Sequence, residues 1–203
     1  MGAARTVLLC FPGYRGRFGG VEPERFRDYA LGLSLFDQVE ILEPDYRGWV
    51  NTGFQNSEFS NFLHHAKDLT NSGVTLFCFG LSVGAFVALR LAAASEAIGV
   101  LALKPPVDIS EVRSSKGALA DFTSLHSVRS SLPATLVVYS KADKGKAHDH
   151  RQATFFQRAP GAEVLVLESF GLLPALERGD LAQYFRRLVE MADSKRTPRF
   201  SRS

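Results

Sequence analysis

Cysteine is scarce in this chain of 203 residues, which contains only Cys10 and Cys78. Both lie in apolar runs that are typical of strands, so we expect small buried hydrophobic residues and neither a disulfide framework nor a metal site. Such sparing use of cysteine favours a reducing, intracellular environment. We therefore predict a cytoplasmic protein.

Long apolar runs and a strong charge imbalance are also missing. No stretch predicts a membrane span, and residues 1–5 lead straight into a strand-like run, so we expect no secretory signal. The net charge is only +3, and part of it comes from the basic residues 195–202. We expect no nucleic-acid partner on that basis, and the sequence gives no indication of an oligomeric state.

The overall composition is typical of one globular domain. Hydrophobic residues make up 45% of the chain and charged residues 22%, which is enough to bury one continuous core. We predict a single domain over residues 1–194 and a flexible, basic C-terminal tail over residues 195–203.

The most informative stretch joins a predicted strand to a predicted helix. Residues 74–79 are a short run rich in β-branched and aromatic side chains, which predicts a buried strand. Residues 85–94 are good helix formers without glycine or proline. Between them lies Gly-Leu-Ser-Val-Gly over residues 80–84, and a Gly-x-Ser-x-Gly at such a turn indicates a nucleophile, here Ser82.

The two glycines of this motif have a steric purpose. A sharp turn lifts the Ser82 hydroxyl out of the sheet and brings the strand and helix backbones together, so a Cβ at Gly80 or Gly84 would clash. The helix also directs its N-terminal N–H groups toward the serine, which favours negative charge there. The alternative is an ordinary strand-to-helix turn that happens to contain two glycines.

Six apolar runs alternate with helical segments along the chain. This alternation predicts an α/β fold, a three-layer α/β/α sandwich with a parallel sheet and helices on both faces. Right-handed crossovers would then bring the loops after the first, third, fifth and sixth strands together around Ser82. The apolar runs cover residues 6–11, 38–42, 74–79, 97–103, 133–140 and 163–167.

These loops together resemble those of the α/β-hydrolase family over nearly the whole chain. Leu8-Leu9-Cys10-Phe11-Pro12-Gly13-Tyr14 is similar to the oxyanion loop of that family, and especially to the opening of type II thioesterases. Residues 43–48 resemble its Asp-x-Arg-Gly turn, residues 80–84 match its nucleophile motif, and Asp143 stands at the usual position of its acid.

The resemblance implies a minimal α/β-hydrolase fold with about six mainly parallel strands. Only about thirty residues separate the fourth strand from the fifth, so we expect no large lid. It also implies that Ser82 is the nucleophile and that Asp143 orients a histidine. The backbone N–H groups of Tyr14 and Val83 would form the oxyanion hole beside Gly13.

The loop after the last strand departs from the family pattern. Residues 168–173 contain no histidine, although a serine hydroxyl needs a base to become a good nucleophile. We predict His148 as the substitute, with His126 as the second candidate and no histidine base as a further alternative. His64 and His65, on a helix that leads to the opposite edge of the sheet, are the poorest candidates.

The segment His148-Asp149-His150 also admits a metal site, but two imidazoles and one carboxylate are weak evidence for one. We therefore predict no metal and no cofactor. The expected function is that of a serine-dependent acyl hydrolase, an esterase or thioesterase, acting on a small-molecule or carrier-bound acyl substrate. The alternatives are an inactive hydrolase-fold protein that binds or regulates, and an acyltransferase on the same scaffold.

Overall fold

The computed structural model describes residues 4–13, 16–44, 56–108, 124–143 and 150–196. Within these residues, six parallel strands form one sheet in the order β2-β1-β3-β4-β5-β6. This confirms the predicted α/β class and parallel sheet. The strands are β1 (Thr6–Phe11), β2 (Gln38–Ile41), β3 (Thr75–Leu81), β4 (Gly99–Leu103), β5 (Ala134–Ser140) and β6 (Ala162–Leu167).

The helices cover both faces of the sheet, so the three layers predicted from the sequence are present. Side chains of α2, α3 and α4 pack on one face, and those of α1, α5 and α6 pack on the other. The described part of the chain contains no large lid. The helices are α1 (Pro23–Gly32), α2 (Asn56–Asn71), α3 (Val83–Ala94), α4 (Ala153–Gln157), α5 (Leu172–Glu177) and α6 (Asp180–Arg196).

Helix α3 lies at the centre of its layer and is buried almost all round. Every residue from Val83 to Ala92 is buried, which explains why this helix has no polar stripe. The one charged member, Arg90, donates a hydrogen bond from Nη1 to the carbonyl oxygen of Ser124 at 2.8 Å. That bond attaches the segment before β5 to the helix that follows Ser82.

The end of the chain differs from the sequence-based expectation. The apolar spacing after Pro174 predicts one helix, but the structure has two, α5 and α6. The break falls at Gly179, which has a φ of +80°, a left-handed conformation that ends a helix and suits glycine. Helix α6 continues to Arg196 and so includes two residues of the predicted tail, whose remainder lies outside the described residues.

Candidate active site

Ser82 occupies the sharp turn between β3 and α3. Its backbone has φ 57° and ψ −123°, a combination that is rare for any residue other than glycine. Hydrogen bonds on both sides hold this conformation. The Ser82 N–H donates to the carbonyl oxygen of Leu103 at 2.8 Å, and the Ser82 carbonyl accepts from Ala85 N–H at 2.9 Å. The strain is therefore imposed by the sheet and the helix together.

The glycines of the motif lie where backbone segments meet. A Cβ built on Gly80 would stand 2.4 Å from the carbonyl oxygen of Gly84, and one on Gly84 would stand 2.2 Å from that of Phe11. Gly13 is close as well, because its Cβ would lie 3.6 Å from the Cβ of Ser82. The loop after β1 therefore lies directly against the serine.

The described part of that loop is anchored by an aromatic side chain. Phe18 is fully buried, stacks on Phe26 at 4.4 Å and packs on Phe79 at 5.7 Å between ring centroids. The Gly13 N–H donates to the carbonyl oxygen of Arg17 at 2.9 Å. Because Gly13 has no side chain, it leaves space beside Ser82. Its N–H is already hydrogen-bonded within the turn.

Only one of the two backbone N–H groups expected to stabilise an oxyanion belongs to the described residues. Val83 is the first residue of α3, and the first N–H groups of a helix have no carbonyl partner within the helix. Its amide therefore stands at the positive end of α3, next to Ser82. Tyr14, the other expected donor, lies outside the described residues.

Asp143 lies just beyond β5, and its partner is a lysine. Its Oδ2 stands 2.7 Å from the Nζ of Lys104, and the two side chains are only 29% and 17% exposed. Lys104 follows the last residue of β4 directly. The carboxylate that the family resemblance assigns to a histidine therefore faces the side chain of Lys104 instead.

Phe170 belongs to the loop after β6, where the resemblance implies a histidine. This residue is buried, and its N–H donates to Oγ of the buried Ser140 at 3.2 Å. Its carbonyl oxygen accepts a hydrogen bond from Lys104 Nζ at 2.8 Å, and its ring centroid lies 5.6 Å from the same nitrogen. Lys104 thus links the loops after β4, β5 and β6.

Lys104 was not among the residues predicted for the site, because only the loops after the first, third, fifth and sixth strands were expected to meet around Ser82. The signal that could have found it is a single basic residue placed directly after an apolar strand, Leu103-Lys104. Charged side chains at the carboxyl ends of parallel strands share one edge of the sheet.

The histidine candidates are spread over the fold. The expected base, His148, lies outside the described residues, as does Asp149. His150 is half-buried in a short 3₁₀ turn before α4. Three others have partners elsewhere: His126 packs edge-on against Phe155 at 4.9 Å, His64 lies 3.4 Å from Asp68, and His65 lies 2.7 Å from Glu40.

Other chemistries find little support in the part of the chain that is described. Cys10 and Cys78 are fully buried, and burial raises the pKa of the Cys78 thiol to about 12. A protonated, inaccessible thiol is a poor nucleophile. Residues 4–13, 16–44, 56–108, 124–143 and 150–196 contain no cluster of histidine, cysteine and carboxylate side chains suited to a metal, and none of their helices is long and apolar enough to cross a membrane.

Comparison with solved structures establishes the fold. A Xanthomonas campestris pv. campestris protein assigned to the alpha/beta hydrolase superfamily matches with a TM-score of 0.64 and 14% identity, over 92% of this chain and 99% of that one. An esterase from Pyrococcus furiosus gives 0.62 and 15%, over 92% and 83%. An esterase from Pyrobaculum calidifontis gives 0.62 and 15%, over 96% and 78%.

These similarities show that the chain has the α/β-hydrolase fold, as the sequence resemblance predicts. No protein-family model matches the sequence, and no curated protein matches it. At 11–16% identity, the structural likeness extends to the fold and not to a particular reaction.

Proposed function

We propose that this protein is a serine hydrolase that cleaves ester or thioester bonds through an acyl-enzyme on Ser82. The observation that carries the proposal is the strained backbone of Ser82, with φ 57° and ψ −123°, between Gly13 and the N-terminus of α3. Unfavourable backbone geometry persists where the surrounding structure demands it, and such positions cluster at active sites.

In the proposed reaction, the Ser82 hydroxyl attacks the acyl carbonyl and the oxyanion forms beside Val83. The Val83 and Tyr14 N–H groups stabilise that charge, an effect worth about 3 kcal/mol per donor. The leaving alcohol or thiol departs, and water then releases the acid. An acyltransferase differs only in that an alcohol or amine replaces this water.

The substrate class rests on two supports. Two of the three solved structures compared above are described as esterases, which favours a small ester. The likeness of residues 8–14 to the opening of type II thioesterases favours an acyl thioester, free or on a carrier. A cytoplasmic location agrees with either substrate and with the two unpaired cysteines.

Labelling with a fluorophosphonate probe tests the nucleophile. We expect the wild-type protein to be labelled and the Ser82→Ala variant to lose labelling while its circular dichroism spectrum stays unchanged. Ser34→Ala is a matched control, because Ser34 is also a serine with positive φ, 54°, but is exposed after α1. Labelling that survives in Ser82→Ala would refute the assignment.

The specific observation that favours a second candidate is that the loop after β6 contains Phe170 but no histidine, while Asp143 pairs with Lys104. A hydrolase-fold protein that binds a ligand without turning it over would not need a histidine base. It would remain unlabelled between pH 6 and pH 10 and inert toward short-chain esters and thioesters. Labelling of the wild-type protein at any of these pH values would exclude it.

A further inference from the structure

We propose that Lys104 is the general base for Ser82, in the place that a histidine holds in other proteins of this fold, with Asp143 as the group that orients it. This inference rests on the proposed function, because it concerns the proton of the same serine. It makes the reaction independent of the histidines.

The order of the strands puts the three residues in sequence along one edge. Ser82 follows β3, Lys104 follows β4 and Asp143 follows β5, and these strands are neighbours in the sheet. The carbonyl oxygen of Leu103 accepts the hydrogen bond from Ser82 N–H, so Lys104 is the next residue after the serine's backbone partner. Its Nζ contacts the loops after β5 and β6, and its flexible stem is longer than the spacing of about 4.8 Å between neighbouring strands, so we infer that it can also turn toward Ser82.

Backbone strain is the second observation. Among the described residues, three that are not glycine have positive φ: Ser34, Ser82 and Lys104, the last at +53°. Two of the three therefore end adjacent strands at the same edge of the sheet. The conformation of Lys104 is held by its N–H, which donates to the carbonyl of Val138 at 2.8 Å, and by Tyr139 Oη, which donates to the carbonyl of Pro105 at 2.6 Å.

Groups from two neighbouring loops contact the amine of Lys104. Asp143 is the charged group that faces it from the β5 loop at 2.7 Å. The uncharged carbonyl and ring of Phe170 face it from the β6 loop. In Ser-His-Asp enzymes a carboxylate orients the base, and lysine serves as the base in some serine enzymes on other folds.

In each half of the proposed reaction, the amine of Lys104 accepts one proton and then gives it up. The neutral Lys104 amine accepts the proton of Ser82 Oγ as Oγ bonds to the acyl carbon and the carbonyl π electrons move to oxygen. Collapse of the tetrahedral adduct breaks the bond to the leaving group, which takes that proton from Nζ. In deacylation the amine accepts a proton from water, the hydroxide attacks the acyl carbon, and Ser82 leaves with the proton.

Two substitutions distinguish Lys104 as a general base from Lys104 as a counter-ion of Asp143. Lys104→Arg keeps the positive charge beside Asp143, but a guanidinium stays protonated and cannot accept a proton. Lys104→Met keeps the length of the stem and loses the amine. We expect both to lower the rate of fluorophosphonate labelling at least roughly 100-fold, the usual contribution of a general base. Lys141→Arg and Lys141→Met are matched controls, because Lys141 pairs with Glu168 on the same edge.

A third variant distinguishes loss of the amine from misfolding of the protein. Lys104→Gly suits the positive φ at this position and leaves a space in place of the side chain. We expect added methylamine to restore labelling in Lys104→Gly and not in Ser82→Ala.

The outcomes distinguish failure of this proposal from failure of the function. If Ser82→Ala abolishes labelling but Lys104→Arg stays near the wild-type rate, Lys104 is only the counter-ion of Asp143 and the proposal is wrong. Loss of labelling in His148→Ala or His126→Ala, with Lys104→Met still active, would also overturn it. If the wild-type protein is never labelled, both the proposed function and this base are wrong.

Discussion

Replacing Gly84 with alanine tests the steric argument for the turn at Ser82. The added Cβ would lie 2.2 Å from the carbonyl oxygens of both Phe11 and Pro12. These are backbone atoms at the end of β1 and just beyond it, so no side-chain rotation can relieve the clash. Overpacking a core costs about 1–3 kcal/mol when neighbours can shift, and we expect Gly84→Ala to lie at the upper end, at about 3 kcal/mol.

The free energy of unfolding is measured by urea denaturation followed by circular dichroism. A loss of about 3 kcal/mol should lower the melting temperature by about 6–12 °C in a domain of this size. Gly32→Ala is the control: no atom lies within 4 Å of its added Cβ, so we expect no loss and a gain of up to about 1 kcal/mol. A Gly84→Ala variant within about 1 kcal/mol of the wild type would refute the reasoning.

Two further predictions concern buried side chains on the interior strands β5 and β3. Tyr139→Phe removes the donor to the Pro105 carbonyl, and an unsatisfied buried acceptor should cost about 1–3 kcal/mol in urea denaturation; an unchanged midpoint would show that water or another donor replaces the hydroxyl. Burial raises the pKa of Cys78 to about 12, so the native thiols should resist iodoacetamide at pH 8 and react after unfolding. Unfolding returns the Cys78 thiol to its ordinary pKa of about 8.5. Its contribution to the free energy of unfolding is therefore complete below that pH and declines as the pH rises above it. Rapid alkylation of the native protein would contradict the burial of the thiols.

Much of the fold was predictable because its signals are local. Alternating apolar and helical segments predict the parallel sheet and its two helical layers, and the apolar run at residues 6–11 coincides with β1. The break at Gly179 was missed, because apolar spacing continues across it while the backbone turns to positive φ. A periodic pattern records which face is buried and not whether the helix is continuous.

The sequence by itself determined the turn at Ser82. Glycine on both sides of the serine, with a strand before it and a helix after it, is a pattern contained within about 20 consecutive residues. Its physical cause is equally local, since the strand and helix backbones meet at Gly80 and Gly84.

Only the tertiary structure decided what faces Asp143. Lys104, Asp143 and Phe170 follow three different strands, and they meet because β4, β5 and β6 are neighbours in the sheet. Strand order is set by how the helices pack across the whole sheet, and no short stretch of sequence encodes it. Sequence alone therefore left the base open between His148, His126 and no histidine, whereas packing placed the Lys104 side chain beside Asp143.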